Sequence, residues 1–247
     1  MVQVDEAELL AIIKRNLAVA GRYRRQKDTT KEGEALKQDP VFSLFGLTGQ
    51  EYILAKARGA QVVSLHRKLG DLYQELVSFL FQSALQLSAE EIKFELVRGR
   101  SSGAGKRSLD AKIPFDGLNA EVAARLKALS AKVVAANPKK YPNMPARGLG
   151  FEVRFCYQIG DSKRINADIE NADASLAMGY LPVMLIFCSI SLHDPIDRFR
   201  SRSKWFVLEG MPSYDFLREL TSFDLFGFLQ DRSDLIRTWI GQAFGMT

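Results

Sequence analysis

Apolar and polar positions alternate with a helical period over the first third of the chain. Residues 5–27 carry leucine and isoleucine on one face, which predicts an amphipathic helix. Residues 28–40 are polar and typical of a loop, and a second helix is predicted over 46–60. Segment 62–87 is apolar around most of its second half, so we expect a long helix packed into the core.

The pattern becomes extended after residue 91. Segments 92–99 and 109–115 alternate as strands do, and the glycine-rich turn between them predicts a hairpin. The remaining predicted strands are 151–159, 181–190 and 203–210, and the remaining predicted helices are 119–136, 161–179 and two after residue 211; 137–150 and 191–204 are predicted as loops.

The order of these elements predicts the architecture. The strand–helix–strand unit from 151 to 190 implies a right-handed parallel crossover. We expect an α/β fold with a central mixed sheet of about five strands flanked by helices. One domain would span 1–247, with a helical N-terminal region (1–60), a core (62–210) and C-terminal helices (211–247).

The composition restricts the cellular location and the metal ligands that can be expected. No apolar run reaches the roughly 20 residues of a membrane span, and the acidic start is unlike a secretory signal, so we expect a cytoplasmic protein without a membrane partner. Cys156 and Cys188 are predicted to be buried free thiols. With His66 and His193 as the two histidines, any catalytic metal would need oxygen ligands, as Mg²⁺ does.

The net charge of +5 is small, but the basic residues cluster. The clusters fall in segments 14–27, 98–107, 139–147 and 198–204, and three of them lie in loops rich in Gly, Ser or Pro. Such loops suit the phosphate backbone of nucleic acid. A solvated surface explains the charge equally well.

The stretch from Gly99 to Phe115 is similar to a phosphate-binding loop, but two of its residues do not match that motif. Arg100 stands where that motif needs its first glycine, and Arg107 stands where it needs Ser or Thr. The residues that follow predict a strand rather than a helix. The glycines are therefore expected to form a hairpin turn.

Three charged residues on neighbouring predicted strands indicate a catalytic site. Asp110 lies in a strand whose other face is apolar, and Glu152 shares a strand face with Arg154. Two carboxylates and a cation at adjacent strand ends are typical of metal-assisted phosphodiester hydrolysis. An ordinary surface ion pair between Glu152 and Arg154 is the alternative.

This pattern resembles the PD-(D/E)xK nuclease superfamily, in particular type II restriction endonucleases. "KRSLDAKIPF" is similar to the strand bearing the first acid, Asp110, and "GFEVRFCYQIGDSKR" is similar to the (D/E)xK strand with Glu152 and Arg154. "HRKLGDLYQELV" resembles the preceding helix, and "INADIENADASLAMGYLPVMLIFC" resembles the helix and strand that complete the core. The resemblance covers about residues 62–210 and implies that Glu75 completes the metal site.

The chain departs from that family pattern at the lysine. Arg154 occupies its position, and an arginine does not readily give up a proton. Lys163 or Lys112 would then supply the missing lysine. A rival assignment takes "LDAK" as the (D/E)xK motif and Glu95 as the first acid.

The resemblance implies a Mg²⁺-dependent, sequence-specific endonuclease that cuts double-stranded DNA as a homodimer. Asp110, Glu152 and Glu75 would hold the metal, and Arg154, with Lys163 as its substitute, would stabilise the scissile phosphate. The residues expected to contact DNA are Arg100, Lys106, Arg107, Lys139, Lys140, Asn143, Arg147, Arg164, Arg198, Arg200 and Arg202. The alternatives are a DNA-binding protein that keeps the fold without catalysis, and a structure-specific repair or junction nuclease.

Overall fold

The computed structural model describes residues 4–22, 49–96, 107–157 and 162–244. Arg100 and Lys106, and the predicted loop 28–40, lie outside these residues. The elements in chain order are α1 Glu6–Arg22, α2 Gln50–Leu85, α3 Ala89–Ile92, β1 Phe94–Leu96, β2 Arg107–Leu109, β3 Ala111–Pro114, α4 Ala120–Ala136, β4 Gly148–Arg154, α5 Ser162–Ala177, β5 Tyr180–Ile186, α6 His193–Arg202, β6 Phe206–Glu209, α7 Met211–Thr221, α8 Leu225–Asp231 and α9 Ser233–Phe244.

The chain divides into two compact units. The larger unit contains residues 73–230 together with the first six residues, and it holds both sheets. The smaller unit contains residues 7–72 and 231–247. In the smaller unit, the α1 residues Leu9, Ile12, Ile13 and Leu17 are buried, and the Nζ of Lys14 lies 5.9 Å from the centroid of the Trp239 ring.

The central sheet is mixed, as the sequence predicts, but it has four strands rather than about five. Its order is β3-β4-β5-β6, with β3 antiparallel to β4 and with β4, β5 and β6 parallel. Helix α5 makes the predicted crossover between β4 and β5. The strand predicted at 92–99 instead becomes β1, which pairs with β2 in a separate antiparallel sheet.

The predicted strand 109–115 is divided between these two sheets. Leu109 pairs with Phe94 in the small sheet, whereas Ala111 pairs with Phe151 in the central sheet. Asp110 lies between the two strands, where the chain passes from the small sheet to the central sheet. The hairpin prediction is therefore right for β1 and β2, while the central sheet takes its edge strand from the residues after Asp110.

Strand β4 begins three residues earlier than predicted, inside the segment assigned to a loop. The glycines of that segment favoured a loop prediction, yet Gly148 and Gly150 are both buried strand residues. A Cβ on Gly148 would lie 2.1 Å from the carbonyl oxygen of Ile113, and one on Gly150 would lie 2.5 Å from the Phe94 ring. Glycine is therefore needed here because neighbouring groups approach closely.

Two further elements differ from the prediction. The helices predicted at 46–60 and 62–87 are one continuous helix, α2. The loop predicted at 191–204 contains α6, whose Pro195 lies in the first turn, where its missing N–H has no cost. Ile196 and Phe199 of α6 are buried, and this apolar spacing is the signal that the loop prediction overlooked.

The two cysteines are bonded to each other, so the prediction of free thiols is wrong. A disulfide joins Cys156, just after β4, to Cys188, just after β5. These positions become neighbours because β4 and β5 pair along their whole length, with Arg154 opposite Ile186. Spacing in the sequence gives no indication of that pairing.

Among the helices that the structure describes, none combines the length and the apolar character needed to cross a membrane.

Candidate active site

A cavity of about 300 Å³ opens at the carboxyl end of β4. Its lining brings together the residues that the sequence singled out and several that it did not. The lining residues are Arg107, Ser108, Asp110, Glu152, Arg154, Arg164, Ala167, Asp168 and Asn171.

Asp110 enters the cavity from the junction of the two sheets. Its backbone N–H donates to the carbonyl of Phe151 at 3.0 Å, and its Oδ2 accepts from the Val153 N–H at 2.7 Å. Both partners belong to β4, the strand that carries Glu152. Backbone hydrogen bonds of this kind fix the carboxylate firmly beside its neighbour strand.

Glu152 and Arg154 project from β4 toward Asp110. Glu152 is 4% exposed, and an Nη2 hydrogen of Arg154 is donated to its Oε1. The Nε of Arg154 is buried and has no hydrogen-bond partner among the described residues. The ion pair is thus buried rather than a surface pair, and one donor of the guanidinium is left over for another group.

Burial dominates the electrostatics of the cavity, whose lining holds three acids and three arginines. Burial raises the pKa of Glu152 to about 8, and the neighbouring charge of Asp110 adds to that rise although Arg154 opposes it. Burial likewise raises the pKa of Asp110, against the opposing effects of Arg154 and the Val153 N–H. Burial lowers the pKa of Arg154, but the carboxylates Glu152, Asp110 and Asp168 raise it overall, so the guanidinium stays cationic.

A third carboxylate, Asp168, lines the same cavity and was missed by the sequence reasoning. It lies in α5, is 3% exposed, and its Oδ2 accepts a hydrogen bond from the Tyr157 hydroxyl at 2.8 Å. The Trp205 indole N–H donates to its backbone carbonyl at 2.8 Å, which holds this turn of the helix in place. The available signal was its helical spacing with Ile165 and Ala172, which are also buried.

The long helix α2 presents Gln74 to the site. The Gln74 amide hydrogen-bonds Asp110, and its Nε2 donates to the Val153 carbonyl at 3.4 Å. Glu75, the residue expected from the resemblance, is half-buried on the same helix but is not among the residues lining the cavity. Its part in metal binding stays a prediction.

The candidate lysines and the rival acid lie elsewhere. Lys163 is exposed in the first turn of α5, and the Nζ of Lys112 lies 6.0 Å from the centroid of the Phe94 ring. Glu95 is exposed on β1, where its Oε1 is 3.7 Å from the Nζ of Lys93. None of the three lines the cavity.

The residues expected to contact DNA fall into separate groups. Arg107 and Arg164 line the cavity, and the Nη1 of Arg107 donates to the Ala167 carbonyl at 2.9 Å. Arg147 stacks on Tyr180, with its guanidinium carbon 5.3 Å from the ring centroid, while Asn143 and Arg198 are exposed. A second cavity is lined by four others, Lys139, Lys140, Arg200 and Arg202.

The carboxylates fit a magnesium ion by their chemistry. Mg²⁺ prefers oxygen ligands, keeps several waters and is usually held by one or two carboxylates. Asp110 and Glu152 supply two carboxyl groups within one cavity. The described residues contain no group of three or more His, Cys, Asp or Glu side chains that could hold a metal, so the fit rests on these two.

Comparison of the chain with protein-family models, with curated proteins and with solved structures gives no match.

Proposed function

We propose that this protein is a Mg²⁺-dependent endonuclease that hydrolyses phosphodiester bonds in double-stranded DNA at specific sequences, as a type II restriction enzyme does. One observation carries the proposal. Asp110, between β2 and β3, and Glu152 of β4 share a cavity with Arg154, and the backbone N–H of Val153 donates a hydrogen bond to Asp110. A mixed sheet flanked by helices is compatible with the proposal, although it has four strands and not the five expected.

Four residues of the cavity have a role in this proposal. Asp110 and Glu152 would hold the ion, which when bound polarises the phosphate and lowers the pKa of a coordinated water. Arg154 offers its unpartnered Nε to the charge that develops on the phosphate. Arg164, with a side chain 54% exposed and its Nε 3.7 Å from Asp168, is placed to contact a DNA phosphate at the cavity mouth.

The finer parts of the proposal rest on chemistry alone. A homodimer is proposed because a two-fold enzyme matches a two-fold symmetric DNA site. A cytoplasmic location is proposed because the substrate is cellular or invading DNA.

The test is cleavage of phage or plasmid DNA with and without Mg²⁺, analysed on a gel. We expect discrete fragments only in the presence of Mg²⁺. Asp110→Asn and Glu152→Gln keep the shape of each side chain and remove its charge, so each should reduce cleavage by at least about 10²-fold, the usual effect of losing one group that stabilises the transition state.

Asp173→Asn is the matched control, since Asp173 lies in the same helix as Asp168 but is exposed and outside the cavity. It should cut like the unmodified protein. Cleavage that survives Asp110→Asn or Glu152→Gln, or that proceeds equally in EDTA, would exclude this site as a metal-dependent nuclease centre.

A DNA-binding protein without catalysis is the second candidate. The observation that favours it is the contact of Arg154 with Glu152, because the guanidinium already bonds one of the two carboxyl groups that a metal would need. This candidate predicts a mobility shift of equal strength with Mg²⁺ and with EDTA, and intact DNA in both.

A further inference from the structure

A second cavity, of about 540 Å³, lies apart from the candidate active site. It forms where the end of α4 and the loop after it meet the end of α6 and the residues before β6. Its ten lining residues include five cations and no acid: Lys139, Lys140, Arg200, Arg202 and Lys204. A chain with a net charge of only +5 therefore concentrates much of its excess charge at one concave surface.

The position of this basic cavity follows from the sheet. Because β4, β5 and β6 are parallel, their carboxyl ends share one edge of the sheet and their amino ends share the opposite edge. Glu152 and Arg154 lie at the carboxyl end of β4, whereas Lys204 comes just before the amino end of β6. The basic cavity thus belongs to the edge opposite the catalytic residues.

Two of the five cations build the cavity. The Nζ of Lys140 donates to the carbonyls of Arg200 at 3.2 Å and Trp205 at 2.5 Å, and the Nζ of Lys204 donates to the carbonyl of Lys140 at 3.0 Å. The bond to Arg200 satisfies a carbonyl at the end of α6, whose partial negative charge would otherwise repel an anion. The Tyr141 hydroxyl donates to the Lys204 carbonyl at 2.9 Å and completes the junction.

The other cations are left for a ligand. In the described part of the chain, the side chains of Lys139 and Arg202 have no hydrogen-bond or ion-pair partner, and both are exposed. Arg200 makes one ion pair, with Glu209 at 3.2 Å. Burial and the neighbouring charge of Lys204 lower the pKa of Lys140 to about 8, which indicates that positive charge here is not fully compensated.

We infer that this basic cavity is a binding site for phosphate groups, separate from the catalytic cavity, with Lys139 and Arg202 as its ligand-contacting residues. A guanidinium binds phosphate oxygens in pairs, and an ammonium acts as a point charge beside it. The phosphate could belong to a small phosphorylated molecule or to the backbone of a nucleic-acid segment other than the one being cut. The inference does not depend on catalysis.

The experiment measures binding of two probes to the full chain in EDTA, where no metal-dependent cleavage occurs. Inorganic pyrophosphate is titrated by calorimetry, and a fluorescent 20-base-pair duplex is titrated by anisotropy at several salt concentrations. The variant is Lys139→Ala with Arg202→Ala. The control is Lys127→Ala with Lys132→Ala, which removes the same charge from two exposed residues of α4.

We expect the variant to bind at least one probe tenfold or more weakly, and the control to bind both within twofold of the unmodified protein. Loss of pyrophosphate binding identifies a small phosphorylated ligand. Weaker binding of the duplex alone identifies a nucleic-acid backbone. In that case the slope of log K against log salt concentration should be about 1.8 smaller in magnitude, because each lost phosphate contact removes about 0.9. Equal binding by variant and control overturns the inference, whatever the result of the cleavage test.

Discussion

At the scale of single residues, Glu152 has the most unusual surroundings in the larger unit. It is buried beside two other carboxylates, Asp110 and Asp168, and one guanidinium, Arg154. Arginine at this position cannot exchange a proton at neutral pH, so its contribution is charge and hydrogen bonding. The Tyr157 hydroxyl, by donating to Asp168, keeps the third carboxylate oriented without adding charge.

The raised pKa of Glu152 predicts how metal binding depends on pH. A carboxyl with a pKa of about 8 holds its proton at pH 7, and Mg²⁺ binds the deprotonated form. The affinity for Mg²⁺ should therefore rise as the pH increases through about 8, and binding should release protons. Calorimetric Mg²⁺ titrations at pH 6.5, 7.5 and 8.5, in buffers of different ionisation enthalpy, measure both quantities.

Glu152→Gln should abolish this pH dependence, while Asp173→Asn should leave it intact. An affinity that stays constant between pH 6.5 and 8.5 would show that Glu152 is not the group that exchanges a proton for the metal.

At the scale of elements, the junction of β4 and β5 supports the edge of the sheet that carries the candidate active site. The ladder continues past both strands, since the Phe187 N–H donates to the Arg154 carbonyl at 3.0 Å and the Cys188 N–H donates to the Phe155 carbonyl at 2.8 Å. The Cys156–Cys188 disulfide then joins the two chain segments two residues beyond Arg154. The strand ends are therefore held by backbone hydrogen bonds and by a covalent bond together.

This disulfide is expected to stabilise the fold. It closes a loop with a sequence separation of 32 residues, for which the chain-entropy estimate is about 3–4 kcal/mol. The double variant Cys156→Ser with Cys188→Ser should have a free energy of unfolding about 2–4 kcal/mol lower in urea without reductant.

With a thiol reductant present, the unmodified protein should unfold like the double serine variant. Thiol titration of the denatured, unreduced protein provides the direct check. Two free thiols in that titration would contradict the bond.

At the scale of the whole molecule, the cations are distributed over opposite edges of the central sheet. Arg164 belongs to the carboxyl edge with the carboxylates, whereas Arg202 belongs to the amino edge with the basic cavity. A short duplex seated for cleavage at the carboxyl edge should therefore depend on Arg164 and not on Arg202.

We expect Arg164→Ala to slow cleavage of a short duplex about tenfold or more and to weaken its binding. Arg202→Ala should change the cleavage rate by no more than twofold. Rates measured under single-turnover conditions, with duplex binding measured in EDTA, separate the two variants. Equal effects of the two substitutions would contradict the division between the edges.

The local patterns of the sequence predicted much of this fold. The uniformly apolar segment 181–190 predicted the buried central strand β5, and the alternation of Glu152 and Arg154 with apolar neighbours predicted the cavity face of β4. Asp110 was found for the same reason, as a carboxylate in an otherwise apolar strand. Such patterns are readable because burial on one face imposes a fixed period on the chain.

Long-range packing decided what these patterns left open. Ile113 and Phe94 approach β4 so closely that glycine is required at Gly148 and Gly150, and these glycines led to a loop prediction at the start of the strand. The passage of the chain from one sheet to the other at Asp110 left four strands in the central sheet. Asp168 and Gln74 reach Asp110 only because α5 and α2 pack beside β4, and Lys140 is drawn into carbonyl bonds at the end of α6.

The sequence by itself therefore determined much of the apolar core and the order of most of the elements. The tertiary structure alone decided which side chains, cysteines and charges come together, because contacts between distant segments depend on the complete packing of the chain and leave no period in the sequence.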